Sequence, residues 1–255
     1  MKILLTLSYL GTNFQGYQVQ KSGRTVQGEL NAAAKALFGY DCDVTGCSRT
    51  DTGVHANTFC AAITKHGEQS LETKIDVSRI PAAMNAHLPP DISVRKAEWV
   101  DESFHPRYDI QYKEYIYRIY NAPSPSPFEV GRAWHIPYVI DASTVEKMDA
   151  AAKRFVGKYD FSAFMASGST VESTVRDVKY ASVTREGDVI VFKVAADGFL
   201  YNMVRIMTGT LVAVAQGKIS VEEIPDIIAS LDRRRAGMTA PASGLYLNRA
   251  VYELI

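Results

Sequence analysis

Residues 46–56 read GCSRTDTGVHA, a stretch with no apolar period and a glycine near each end. Within it Arg49 stands two residues before Asp51, and His55 four after it. A carboxylate on such a loop can serve as nucleophile, general base or metal ligand. A guanidinium two residues away can hold a phosphate or a base with its planar fork. The plainer reading of a lone Asp-x-Gly is an Asx-turn, with the side chain bonded to its own backbone. As metal ligands Asp51 and His55 supply two donors, and no H-x-x-E-H or C-x-x-C motif completes a set. No metal is therefore expected. His55 reads as a hydrogen-bonding residue of the loop, and His105, which precedes Pro106, is read the same way.

Other residues with chemical potential are scattered. Arg205 lies in FLYNMVRIMTGTLVAVA (199–215), which is apolar almost all round, so its guanidinium is expected to be buried and to need a carboxylate partner. Tyr115 and Tyr117 share one face of the alternating run YIYRIY and offer flat rings for stacking, though tyrosines in such strands commonly belong to the sheet. Arg233, Arg234 and Arg235 form a basic run, read as either a solvated helix end or a phosphate contact, with the second favoured.

These residues need elements to carry them. Ile3, Leu5, Leu7 and Tyr9 alternate as a strand over 3–9, which also argues against a signal peptide. Val26, Leu30, Ala34 and Leu37 predict a helix over 26–38, with Thr25 as N-cap and Gly39 beyond its end. Strands are expected near 41–47, 58–65 and 91–99, with a helix near 74–86 interrupted by Pro81. The second half runs through a similar order. A strand covers 112–120. A helix opens with a Ser143–Glu146 capping box and ends at Gly157. Strands at 176–185 and 189–196 flank the turn Glu186-Gly187-Asp188. An apolar helix spans about 200–216, and a Ser220–Glu223 box opens a helix reaching Leu231. A strand over 245–253 closes the chain. Two β-α-β-β-α-β orders predict an α+β fold of two ferredoxin-like halves, 1–105 and 106–255. Its sheet should be mixed and mainly antiparallel, with helices on one side and a ligand cleft between the halves.

The chain has 255 residues, of which 47% are hydrophobic and 22% charged, enough for one large core or two small ones. No run is long enough for a membrane-spanning helix. Three cysteines, odd in number and without C-x-x-C spacing, read as reduced thiols of a cytoplasmic protein. Net charge is zero, so any polyanion site must be a local patch.

Several blocks together resemble the tRNA pseudouridine synthase A family. SRTDTGVHA (48–56) is similar to its most specific motif, GRTDAGVHA. YLGTNFQGYQVQKSGRTVQGEL (9–30) resembles its opening, and AMNAHLPPDISV (83–94) its LPPDI segment. FHPRYDIQYKEYIYRIYN (104–121), DGFLYNMVRIMTG (197–209) and APASGLYL (240–247) follow in the family's order, so the resemblance spans nearly the whole chain. Ser48 replaces the usual glycine, Thr52 the usual alanine, Tyr17 a common tryptophan, and Pro106 falls within the FHAR block.

The resemblance implies a tRNA-modifying isomerase that turns uridine into pseudouridine in the anticodon stem-loop, at tRNA positions 38–40 in the family. It implies a cytoplasmic homodimer with tRNA as partner and no cofactor. It assigns Asp51 as the catalytic aspartate and Arg49 as the arginine that helps evert the target nucleotide. Tyr115 becomes the aromatic that stacks on uracil, Arg205 the arginine pairing with the aspartate, and Leu245 the apolar wall of the pocket. The absence of a Gly-rich nucleotide fingerprint fits a reaction without oxidation or addition. An RNA-binding protein without chemistry, a glycosidic-bond hydrolase and a phosphate-binding or nucleotide enzyme, which lacks its Gly-rich fingerprint, are the rival readings. The second usually needs a pair of carboxylates, and the sequence shows no match for Asp51 in a comparable loop.

Overall fold

The computed structural model of the chain describes residues 1–168 and 171–253. They divide into two units: residues 1–111 with the chain's end from Leu247, and Tyr112–Tyr246.

The first unit contains β1 (Lys2–Tyr9), α1 (Val26–Phe38), β2 (Cys42–Gly46), β3 (His55–Lys65), α2 (Ile80–Asn85) and β4 (Ile92–Val100). β1 sits between β4 and β3, β2 pairs with the far end of β3, and every pairing is antiparallel. Leu5 lies opposite both Ala61 and Ala97. That order is the ferredoxin-like one expected from the β-α-β-β-α-β sequence. Alternate residues Ile3, Leu5 and Leu7 are completely buried, as are Val26, Leu30 and Ala34 of α1. α1 packs against β2 and α2 against β4, and the two helices touch each other, so both cover one face of the sheet. α1 has the ends its sequence predicts: Thr25 Oγ1 accepts from Gly28 N at 3.2 Å, and Gly39 adopts φ 79°.

Two expectations shift here. β3 begins at His55 rather than 58, so the histidine belongs to the strand. Pro81 opens α2 instead of interrupting a longer helix, because its missing N–H costs nothing in the first turn.

The second unit holds β5 (Ile110–Tyr120), β6 (Trp134–His135), α3 (Ala142–Lys153), β7 (Gly157–Asp160), β8 (Val175–Glu186), β9 (Val189–Ala196), α4 (Met203–Ala215) and α5 (Glu223–Ser230). Strand order is β5-β9-β8-β7, antiparallel throughout, with β6 pairing parallel to β5. α3 packs on β8 and on α4. α3 is capped by Asp141, not by Ser143: Thr144 N donates to Asp141 Oδ1 at 2.7 Å, and Ser143 Oγ turns to the same oxygen. The helix ends at Lys153, and Gly157, expected as its stop, opens β7 instead. Of the second box, the Ser220 N to Glu223 Oε2 bond forms at 2.7 Å. The last strand, β10 (Leu245–Tyr252), neighbours β3, where Asn57 Nδ2 donates to Asn248 Oδ1 at 2.9 Å. The chain is thus an α+β protein with a mixed, mainly antiparallel sheet. No helix among the described residues is long and apolar enough to cross a membrane.

Candidate active site

Asp51 rides on the loop 47–54, which joins β2 to β3. This loop has little regular structure of its own, so its shape comes from a second loop, residues 10–25, laid against it. Gly11 N donates to His55 Nδ1 at 2.8 Å. A backbone N–H can only donate, so Nδ1 is the bare nitrogen of a neutral, fully buried imidazole. Tyr17 N donates to Thr50 O at 3.0 Å, and the Tyr9 hydroxyl and Thr50 Oγ1 are 2.8 Å apart. The approach is too close for side chains. A Cβ on Gly11 would fall 1.9 Å from Val54 O, and one on Gly16 would fall 2.6 Å from Thr50 O. The glycines of YLGTNFQGY are therefore the complement of the SRTDTGVHA loop.

Within the loop, Val54 N donates to Asp51 O at 3.1 Å, closing a turn whose third residue, Gly53, has φ 79°. A φ of that sign is what glycine supplies at the third position of a type II turn. Thr50 is buried between exposed Arg49 and half-buried Asp51. Fixing Thr50 by both hydroxyl and carbonyl therefore sets the directions of its two charged neighbours. Beneath, the Tyr17 ring stacks on Phe59 at 4.5 Å and 28°, and burial pushes its phenol pKa up.

The other three candidates lie in the second unit. Arg205 is in the first turn of α4, half-buried. Its Nε donates to Ala240 O at 2.7 Å and its Nη1 to Asn202 Oδ1 at 2.7 Å, and Ala240 N donates back to Arg205 O at 3.1 Å. Asn202 adopts φ 60°, the left-handed region asparagine tolerates better than most residues. Ala240 starts the segment that reaches Leu245, the buried first residue of β10. The same segment is pinned by Tyr117, whose hydroxyl donates to Pro241 O at 2.7 Å while its ring lies on Gly244. Tyr117 is thus committed to this strut. Tyr115, two residues earlier, is 7% exposed and meets Phe199 edge-on at 5.1 Å.

Known proteins resemble this chain over nearly its whole length. The family model described as tRNA pseudouridine synthase matches residues 6–109 and 151–253. Those two stretches cover most of the chain. It belongs to the tRNA pseudouridine synthase family. The tRNA pseudouridine synthase A of Acetivibrio thermocellus is 44% identical over 251 residues, covering 98% of this chain and 99% of that protein. That of Ruminiclostridium cellulolyticum is 44% identical over 252 residues with the same coverage, and that of Bacillus licheniformis is 42% identical over 255. This pseudouridine synthase is accordingly an isomerase acting on uridine in tRNA.

The synthase's five candidate residues fall in two groups, Arg49 and Asp51 in the first unit, Tyr115, Arg205 and Leu245 in the second. Sequence reasoning missed the residues that hold them: Gly11, Thr50, Asn202 and Ala240. The basic run Arg233–Arg235 also has partners within the protein. Arg234 forms a two-bond pair with Asp232, Arg233 reaches Thr239 Oγ1 at 3.2 Å, and Arg235 bonds Asp226 O at 3.3 Å. Among the described residues, no group of three or more His, Cys, Asp or Glu could hold a metal ion.

Proposed function

We propose that this synthase isomerises uridines of the tRNA anticodon stem-loop with Asp51 as its catalytic carboxylate. In the reaction the bond from uracil N1 to ribose C1′ breaks and a bond from C5 to C1′ forms. The hydrogen on C5 leaves to water, and N1 takes up a proton. Nothing is oxidised, so no cofactor enters. The carboxylate either attacks the sugar or removes a sugar proton, and in both cases it must act ionised. A uridine stacked in a stem is out of reach, so it is turned out, at about a few kcal/mol. Arg49, exposed two residues away, fills the vacated space and contacts the backbone. Tyr115 stacks on the uracil, Leu245 walls it in, and Arg205 favours the ionised carboxylate and orients it. The working form in this reading is a cytoplasmic homodimer, one subunit holding the tRNA body while the other receives the target.

The observation that carries this reading is the clamp on Thr50, which holds the loop between Arg49 and Asp51 against a second loop. A surface Asx-turn needs no such support. The test uses an unmodified tRNA transcript tritiated at uracil C5. Wild type releases the label to water, and Asp51→Ala releases almost none at equal tRNA binding. Undiminished release by the alanine variant moves the chemistry to another residue.

A further inference from the structure

Within the second unit lies a cavity that the proposed reaction does not use. It measures about 450 Å³, a size that takes a small ligand or a nucleotide, and it opens where the ends of α3 and α5 meet β7. Arg154, Val156, Tyr159, Asp160, Ile228 and Leu231 are among its lining residues. β7 is the outer strand of the order β5-β9-β8-β7, three strand spacings from β5, which holds Tyr115. At roughly 4.8 Å per spacing the separation is about 14 Å. A group bound in this cavity is therefore not the one at Tyr115.

Its walls keep apolar surface in water: Val156 is 38% exposed, Tyr159 44% and Leu231 51%. The Tyr159 ring is held in place. It lies on Gly157, where an added Cβ would fall 2.7 Å from the ring, and it meets Phe161 edge-on at 6.1 Å. Leu231 ends α5 with φ 56°, a conformation that glycine usually supplies at a helix end. A leucine there sets an apolar side chain at the pocket against its backbone preference. Of the charged groups, Asp160 accepts from Ser162 N at 2.9 Å, and Lys153, which also lines the cavity, pairs with Asp149 at 2.7 Å. The Arg154 guanidinium has no hydrogen-bond or ion-pair partner among the described residues. Its planar fork is open to an anion from outside the chain.

The cavity thus offers a fixed aromatic ring, an apolar floor, a carboxylate and a guanidinium without a partner. An unpaired nucleotide matches all four. Its base stacks on the ring, an amino group on the base edge donates to the carboxylate, and its phosphate meets the fork. The substrate of this synthase is tRNA, a polyanion with bases outside its stems, and a chain of net charge zero holds a polyanion through local cations. We propose that this pocket binds an unpaired nucleotide of the tRNA other than the target uridine, with the base on Tyr159 and the phosphate at Arg154. A peptide's apolar side chain would use the floor and leave Arg154 and Asp160 without a role. The inference goes beyond the Asp51 reading and needs only that tRNA is the substrate.

The test is the binding of an unmodified, full-length tRNA transcript to wild type, Tyr159→Ala, Tyr159→Phe and Arg154→Gln, from roughly 50 to 200 mM salt. Tyr159→Ala should bind at least about 5-fold more weakly, and Tyr159→Phe, which keeps the ring, should bind as wild type does. Arg154→Gln should lose about 0.7–0.9 from the slope of log affinity against log salt, the value of one phosphate contact. Arg154 is exposed, so this variant tests the pocket even where Tyr159→Ala melts early. In tritium release the losses should fall on KM rather than on kcat. Either an unchanged affinity in Tyr159→Ala or an unchanged slope in Arg154→Gln overturns the proposal. Wild-type tRNA affinity with loss of self-association in sedimentation assigns the pocket to a second copy of the chain and overturns it too. Asp51→Ala reads the reaction separately, so failure of the catalytic reading is told apart from failure of this one.

Discussion

Arg205 and Ala240 grip each other twice: the guanidinium Nε donates to the Ala240 carbonyl at 2.7 Å, and the Ala240 amide donates to the Arg205 carbonyl at 3.1 Å. One residue of α4 thereby sets both the direction of its own fork and the start of the segment running to Leu245. Removing the side chain should do two separable things. Arg205→Leu leaves the Ala240 and Asn202 oxygens without their donor, costing about 1–3 kcal/mol, which for a chain of this size is a fall of several degrees in melting temperature. In the proposed reaction it should also lower turnover by about 100-fold or more, since there its charge acts on the catalytic carboxylate. Thermal melts and tritium release measure the two. Arg205→Lys, which keeps charge but not the fork, should recover part of the activity and little of the stability. Full turnover in Arg205→Leu would remove Arg205 from the chemistry.

The Gly11–His55 bond gives a second prediction. His55→Ala leaves the buried Gly11 amide without an acceptor and should destabilise by about 1–3 kcal/mol in denaturant unfolding. Its residual activity should keep the wild-type pH profile, because a fully buried imidazole whose Nδ1 is held as the acceptor of a backbone amide takes up no proton there. Gly11→Ala should be as severe or worse: the added methyl falls 1.9 Å from the Val54 carbonyl, and relief requires the two loops to separate. Activity in Gly11→Ala should drop further than stability does, since the displaced loop carries Asp51.

How much of this the sequence shows depends on whether the cause is local. Thr25 and Gly39 are legible because a cap is made within four residues of itself. So is the order of the first-unit elements, since alternation in Ile3, Leu5 and Leu7 reports burial directly. The true cap of α3 was hidden by a tie. Asp141 and Ser143 are both good caps two residues apart, and only the structure shows that the serine hydroxyl turns back to the aspartate. β6 is two residues long, too short for any period, and exists because β5 offers it an edge. At the site, Arg49 and Asp51 are visible as residue types, but the clamp on Thr50 joins segments more than thirty residues apart.

Two histidines should shape stability against pH in opposite directions. Burial, then the charge of Arg107, lowers the His105 pKa below 6.5; Lys2 also lowers it and Asp109 opposes. The folded state therefore resists its protonation. Its contribution is complete above about pH 6.5 and is lost as pH falls through the depressed folded value. His66 is the reverse: its bond to Asp43 at 2.9 Å, with Asp41 adding to it, raises its pKa. Its contribution is complete below about pH 6.5 and is lost as pH rises through the raised folded value. Melting temperatures taken from about pH 8 to about pH 5 should fall less in His105→Gln than in wild type, and more in His66→Gln. His66 is exposed, so its effect should be the smaller and should fade with salt.

Tyr115 and Tyr117 occupy one face of β5, and the sequence offered both as the stacking residue. The structure gives Tyr117 another task, since its hydroxyl holds Pro241 O and its ring supports Gly244. Tyr117→Phe should therefore cost about 0.5–1.5 kcal/mol in stability for the lost bond. Any loss of activity should follow from loosening of the segment that ends in Leu245. In the role proposed for Tyr115 the flat ring is what stacks. Tyr115→Phe should retain most of the tRNA affinity and turnover, whereas Tyr115→Ala should lose about 1–3 kcal/mol of transition-state binding, roughly 5- to 150-fold in kcat/KM. Because Tyr115 borders Phe199 edge-on, truncation removes that contact too, so the Ala variant's melting temperature must be read alongside. Loss of activity in Tyr115→Phe equal to that in Tyr115→Ala would mean the phenol hydroxyl takes part, and the stacking role alone would be wrong.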